Sequence, residues 1–179
     1  MRRVLTAVIG AVLAAPAAAH ADSHIYSYDS ASAAARTLAP TGLSFEFDKP
    51  PLGGPVITRI IQTGERGSAA LKPASEAALG PGGLKGALQG EAAAGRLYEI
   101  ETGGDGPAFI DAVCPGARRA WLVIGRLERF KDLQVQAVGT DEPAGKLRHC
   151  VTLTLSFRTD WAMPQRTPPR VRGNIGGPL

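Results

Sequence analysis

The sequence predicts an α+β fold: one antiparallel sheet of about five to seven strands with short helices on one side. A β-sandwich with incidental helices is the alternative. Three observations carry this expectation. Val151, Leu153, Leu155 and Phe157 alternate with Thr152, Thr154, Ser156 and Arg158, the two-residue period of a strand with one buried face. Several further strand-like runs follow one another through short connections rich in Gly and Pro, and short connections favour antiparallel neighbours. Two short stretches, 31–38 and 107–114, carry helix signals instead.

In chain order, Asp29 or Ser30 is placed to cap a helix over the alanine-rich run Ala31 to Leu38, which Pro40 stops. Leu43, Phe45 and Phe47 alternate with Ser44, Glu46 and Asp48, giving a strand with an apolar and an acidic face. Val56 to Gln62 is β-branched and apolar on both sides, so it reads as an interior strand. After the turn Gly64–Gly67, Ser68 to Leu71 is expected to return as a short partner. Residues 73–95 read as two short helices around a glycine kink. Arg96 to Thr102 alternates Tyr98 and Ile100 with Glu99 and Glu101. Pro107 suits a helix start, and Phe109, Ile110, Val113 and Cys114 follow at helical spacing until Pro115-Gly116. Ala120 to Leu127 is a largely apolar strand, Leu133 to Ala137 alternates with Gln134 and Gln136, and Val151 to Trp161 is the last strand.

The ends differ from this body. Met1-Arg2-Arg3, an apolar run from Val4 to Ala15 and the site Ala19-His20-Ala21 form the pattern of a secretory signal peptide over residues 1–21. The apolar run is too short to anchor the chain, and no second one follows, so no membrane span is expected. Residues 22–161 form the single expected domain. Residues 162–179, rich in Pro, Gly and Arg, read as a disordered tail. The formal charge of +4 falls to +2 without Arg2 and Arg3, and to −1 without Arg166, Arg170 and Arg172 of the tail. A near-neutral body argues against nucleic acid, which demands a basic face. The basic tail suits weak electrostatic contact with anionic surfaces.

Cys114 and Cys150 are the chain's two cysteines. In an exported protein they are expected to pair, closing a loop that would stabilise the fold by about 3–4 kcal/mol. Arg148 and His149 precede Cys150 and would favour a reactive thiolate, but no C-x-x-C motif accompanies them.

Machinery for catalysis is sparse. Only His24 and His149 follow residue 21, no G-x-S-x-G or H-E-x-x-H occurs, and the glycine cluster around Lys85 lacks phosphate-loop spacing. Glu46 with Asp48, and Glu99 with Glu101, each put two carboxylates on one strand face at about 7 Å, within the range of an inverting glycosidase. Alternating acids opposite an apolar face are equally what a solvated sheet surface needs. Arg118, Arg119, Arg126, Arg129 and Arg148 read as a mixed-charge surface, with Glu128, Asp132 and Glu142 to neutralise them. Cleavage after Ala21 would leave Asp22-Ser23-His24 at the amino terminus. A free amine, two amide nitrogens and the His24 imidazole then offer a square-planar site for Cu(II) or Ni(II). No cofactor is otherwise required.

The expectation is an exported module, periplasmic or extracellular, that is non-catalytic and binds a protein or an envelope component. The alternatives are an envelope saccharide hydrolase using one carboxylate pair and an N-terminal Cu(II)/Ni(II)-binding protein.

Overall fold

Alternating apolar faces on successive strands can be buried by covering a sheet with helices or by rolling the sheet onto itself. This chain does the second. The computed structural model describes residues 22–64, 67–79, 82–85, 87–89, 95–141 and 145–162. They form eight strands: β1 (Asp22–Ser30), β2 (Leu43–Lys49), β3 (Val56–Gln62), β4 (Ser68–Pro73), β5 (Arg96–Ile100), β6 (Arg119–Ile124), β7 (Leu133–Thr140) and β8 (Arg148–Ala162). Each pairs antiparallel with the next, and β8 pairs with β1, so the sheet closes into an up-and-down barrel. The expected open sheet with helices on one side is therefore wrong, and so is the sandwich.

The strand that closes the barrel is one the sequence pattern hides. Residues 22–30 mix Ser, Asp and Tyr, yet β1 pairs with β2 from Asp22↔Lys49 to Tyr28↔Leu43, and with β8 from His24↔Ala162 to Ser30↔Leu155. Closure removes both sheet edges, whose unpaired N–H and C=O groups an open sheet leaves exposed. Register shifts in the β1–β8, β2–β3 and β7–β8 pairings mark where strands bend, as closure requires. The interior is packed with side chains. Leu43, Phe45, Ile60, Leu122, Leu153 and Leu155 are each at most 1% exposed.

One end of the barrel is closed. The connections β1–β2 and β5–β6 at that end contain the only two α-helices among the described residues, α1 (Ala33–Leu38) and α2 (Gly106–Val113). Ala35 of α1 and Phe109, Ile110 and Val113 of α2 join the same buried cluster as the barrel interior. The cap of α1 is Ser32 rather than Asp29 or Ser30, which belong to β1. The Ser32 hydroxyl accepts from Ala35 N at 3.1 Å and from Thr154 N at 3.2 Å, tying the helix to β8 just beyond the end of β1. Cys114, the C-cap of α2, is disulfide-bonded to Cys150 of β8, with Cα atoms 5.0 Å apart. Gly139 on β7 leaves room for this staple, since a Cβ there would meet Cys114 Sγ and would lie 2.9 Å from Ala117 Cβ.

Residues 73–95, expected as two short helices, begin with the last residue of β4 and contain one 3-10 turn (Glu76–Leu79) and further turns among their described parts. Those described parts form a strap over the outside of the barrel. Leu79 and Ala87 pack on Trp121, Val138 and Leu147 in a second buried cluster. This explains why β6 is buried on both faces, and why Gln136 is 1% exposed although it points away from the interior. The expected signal segment, residues 1–21, and residues 163–179 of the expected tail lie outside the described residues. Ala162, counted with that tail, is the last residue of β8.

Candidate functional site: the open end of the barrel

The other end of the barrel has no helix over it among the described residues. It is bordered by the connections 50–55 (β2–β3) and 125–132 (β6–β7), by the departure and return of the strap, by the start of β1 and by the end of β8. The wall is incomplete here because of a local shortage of pairing. β4 pairs with β3 only along Arg59 to Ile61, so the first residues of β3 run past it unpaired on that side. Tyr98 of β5 reaches across the gap, and its hydroxyl accepts from Ile57 N at 3.3 Å. Its own proton remains available to a further acceptor. Arg96, two residues earlier on the same face, donates to Pro55 O at 2.7 Å. Gly54 lies against it, and a Cβ there would displace the tip of the Arg96 side chain.

These contacts border a cleft of about 340 Å³ between the 50–55 and 125–132 connections. Ile57, Tyr98 and Ile124 form its floor, each at most 3% exposed. Leu127 extends the apolar wall, and Arg96 and Arg126 stand at the rim. Arg126 is ion-paired only through an exposed contact with Glu128 at 3.4 Å. The cleft thus combines a floor of two isoleucines and a buried phenol with two guanidinium groups at its edge. Among the described residues its lining contains no carboxylate, imidazole or thiol.

On the far side of the same opening, aromatic rings run between strands. Tyr26 meets Phe47 and Phe157 edge-on, Phe157 meets Tyr28, and Phe130 meets Phe157. Burial pushes the Tyr28 phenol well above the usual tyrosine range, with the nearby Tyr26 adding to the shift, so it stays neutral. Arg129 and Asp160 form an ion pair at 2.6 Å at this rim.

The residues singled out from sequence do not meet in one place. Cys114 and Cys150 lie at the closed end. Asp22, Ser23 and His24 open β1, with the His24 ring stacked on Phe47 at 5.6 Å. Binding of a metal through the Ser23 and His24 amide nitrogens would require the start of β1 to leave the sheet. Among the described residues, no three His, Cys, Asp or Glu side chains gather to hold a metal. Glu46 is ion-paired with Arg59 at 3.5 Å, and Glu99 with Arg119 at 2.5 Å. Glu99 and Glu101 border a shallow dish near the closed end rather than the cleft. The five arginines separate: Arg126 and Arg129 stand at the open end, and Arg118, Arg119 and Arg148 near the closed one. His149, on β8, holds Thr152 Oγ1 at 2.9 Å, and burial lowers its pKa below the ordinary value.

Sequence reasoning missed Arg96 and Tyr98 as a pair, placing Tyr98 only with Ile100 on one face of a strand. Their two-residue spacing on a strand that ends in a turn is a signal, but a weak one. Without the closure of the barrel nothing indicates that they face a mouth.

What fold and site together define is an eight-stranded up-and-down barrel, plugged and stapled at one end and, among the described residues, with no helix over the other. No family model matches the chain, and neither do any curated protein or solved structure.

Proposed function

We propose that this chain is an exported, non-catalytic binding module that takes a small amphipathic anion of the cell envelope in the open end of its barrel. The observation that carries this reading is the cleft itself. An apolar body fits against Ile57, Ile124 and Leu127, while a carboxylate or phosphate meets Arg96, Arg126 and the Tyr98 hydroxyl. Eight-stranded barrels are wide enough to fill with side chains or to hold one small ligand. This one fills its body and keeps room at its mouth. Binding is favoured over catalysis because the described lining holds arginines and a phenol and no imidazole, thiol or carboxylate for acid–base work. Support for export comes from the amino-terminal pattern of residues 1–21 and from the Cys114–Cys150 bond. The arginines after Ala162 are expected to add a weak, salt-sensitive contact with anionic surfaces.

The test is titration with 8-anilinonaphthalene-1-sulfonate, an aromatic anion whose fluorescence rises in apolar surroundings, followed by displacement with decanoate. Saturable binding is expected, and Arg96→Met should weaken it by roughly 10-fold or more, the loss of one charge-assisted hydrogen bond. Arg59→Met, on the outer face and paired with Glu46, should leave it unchanged. Absence of saturable binding, or equal affinity in both variants, would overturn the reading.

A further inference from the structure

We infer that the open end of the barrel docks on an anionic lipid surface, with Leu52, Phe130 and Trp161 entering its interfacial region. The inference shares the open end with the proposed ligand site, but its apolar tips are different residues, and of that site it uses only Arg96, as one rim cation among several. Leu52 is 89% exposed, Phe130 81% and Trp161 61%, and these are the exposed large apolar side chains among the described residues. All three lie at the same end. Leu52 is in the β2–β3 connection, Phe130 in the β6–β7 connection, and Trp161 next to the end of β8. The two connections stand half the barrel apart in strand order, with the cleft between them. A flat surface that touches both tips therefore covers the mouth.

Phe130 is held outward at a cost. It is the one non-glycine residue with positive φ among the described residues, at 61°, a region that bulky side chains rarely adopt. Its ring touches Phe157 edge-on, yet most of its surface faces solvent. Trp161 sits on the barrel rim, where an indole suits the boundary between headgroups and acyl chains.

The charges at this end select the kind of surface. Glu128 and Asp160 are taken up by Arg126 and Arg129. That leaves Lys49, Lys72, Arg96 and Lys131, all exposed and without an ion pair among the described residues, against Asp22, Asp48 and Asp132. Apolar tips set among surplus cations fit anionic lipid better than a neutral bilayer or an apolar protein groove.

The experiment uses the processed protein recovered after export. Its partition is measured onto phosphatidylcholine vesicles with and without about a quarter phosphatidylglycerol, in low salt and in about 0.5 M salt. Binding to the anionic vesicles in low salt is expected, with a loss of roughly 10-fold or more on vesicles lacking phosphatidylglycerol or in high salt. Phe130→Asn keeps a residue that tolerates positive φ, and Leu52→Ser changes an exposed loop. Each should lower partition about 10-fold without changing the melting temperature. Trp161 should become shielded from acrylamide on binding, whereas Trp121, 1% exposed, is shielded throughout.

Equal binding to both vesicle types, no binding in low salt, or unchanged partition of Phe130→Asn and Leu52→Ser would overturn the inference. So would concentration-dependent self-association that these substitutions abolish, since a second copy would then cover the mouth. Dye titration without vesicles keeps the two ideas apart. Arg96→Met should lose dye binding yet keep its partition within about 3-fold, as one rim cation among several. Vesicle binding can therefore fail while the ligand reading stands, and the reverse.

Discussion

Gln136 offers the sharpest test of how the barrel wall is built. Its side chain points outward from β7 but is 1% exposed, because the strap lies over it. Both ends of its amide are used: Oε1 accepts from Gln89 N at 3.0 Å, and Nε2 donates to Gln89 O at 2.6 Å. Gln136→Met keeps the length and flexibility of the side chain and removes both bonds. At a net value of about 0.5–1.5 kcal/mol each, their loss should cost about 1–3 kcal/mol. Gln89 is itself exposed, so water can reach part of its backbone, and the lower half of that range is expected. With a urea slope of about 1–3 kcal/mol per molar, the unfolding midpoint should fall by roughly 1 M. Gln134→Met supplies the control, two residues away on the same face but exposed and outside the strap, and should change stability by less than about 0.5 kcal/mol. Hydrogen exchange adds a local readout, since amides of residues 87–89 should lose protection before those of β8. Equal midpoints for the two variants, with unchanged protection of the strap, would refute the clasp.

Four further outcomes are expected. Replacing Cys114 and Cys150 together by Ser should lower stability by about 2–5 kcal/mol, read by urea unfolding, and thiol titration of the unreduced denatured protein should find no free thiol. Leu155→Ala, inside the barrel and fully buried, should cost about 2–5 kcal/mol; Thr154→Ala, on the other face of β8, should cost under about 1 kcal/mol. His149 should make stability fall with acidity: burial lowers its folded pKa, so the unfolded chain binds the proton first as pH falls below about 6.5. Its contribution is complete above that pH and is lost on descending toward the folded pKa, and His149→Gln should flatten this part of a midpoint-versus-pH curve. If the mature chain begins at Asp22, one equivalent of Cu(II) should give the visible band of a square-planar nitrogen site and loosen the start of β1, seen as faster amide exchange at residues 22–26; His24→Ala should abolish both.

Much of the secondary structure was legible because short-range physics writes it into the chain. The alternation of Leu43, Phe45 and Phe47 with polar neighbours, and of Leu153 and Leu155 with threonines, marks faces that must be buried whatever buries them. Seven of the strands and both helices follow from such patterns and from Pro and Gly at their ends. The cysteine pairing follows from two thiols and an export pattern. The strap was misread because its glycine-rich sequence has no period, and its apolar residues find their partners on Trp121 and Val138, far along the chain.

Closure was decided by tertiary structure alone. A one-sided apolar strand looks the same beneath helices and in a barrel wall. What distinguishes them is whether the first strand meets the last, and β1, whose Tyr26 and Tyr28 alternate with Ser27 and Asp29, gives no local sign of doing so. Its pairing with β8 depends on accumulated twist and on three register shifts, each a property of two strands together. The candidate site depends on the same event. Arg96 and Tyr98 come to line a cleft only because β4 is short, the sheet is closed, and the helices fill the opposite end. Sequence determined which faces are buried, since hydrophobic periodicity acts within one strand. Which end is open, and what stands around it, comes from contacts between residues more than a hundred positions apart, as where His24 meets Ala162.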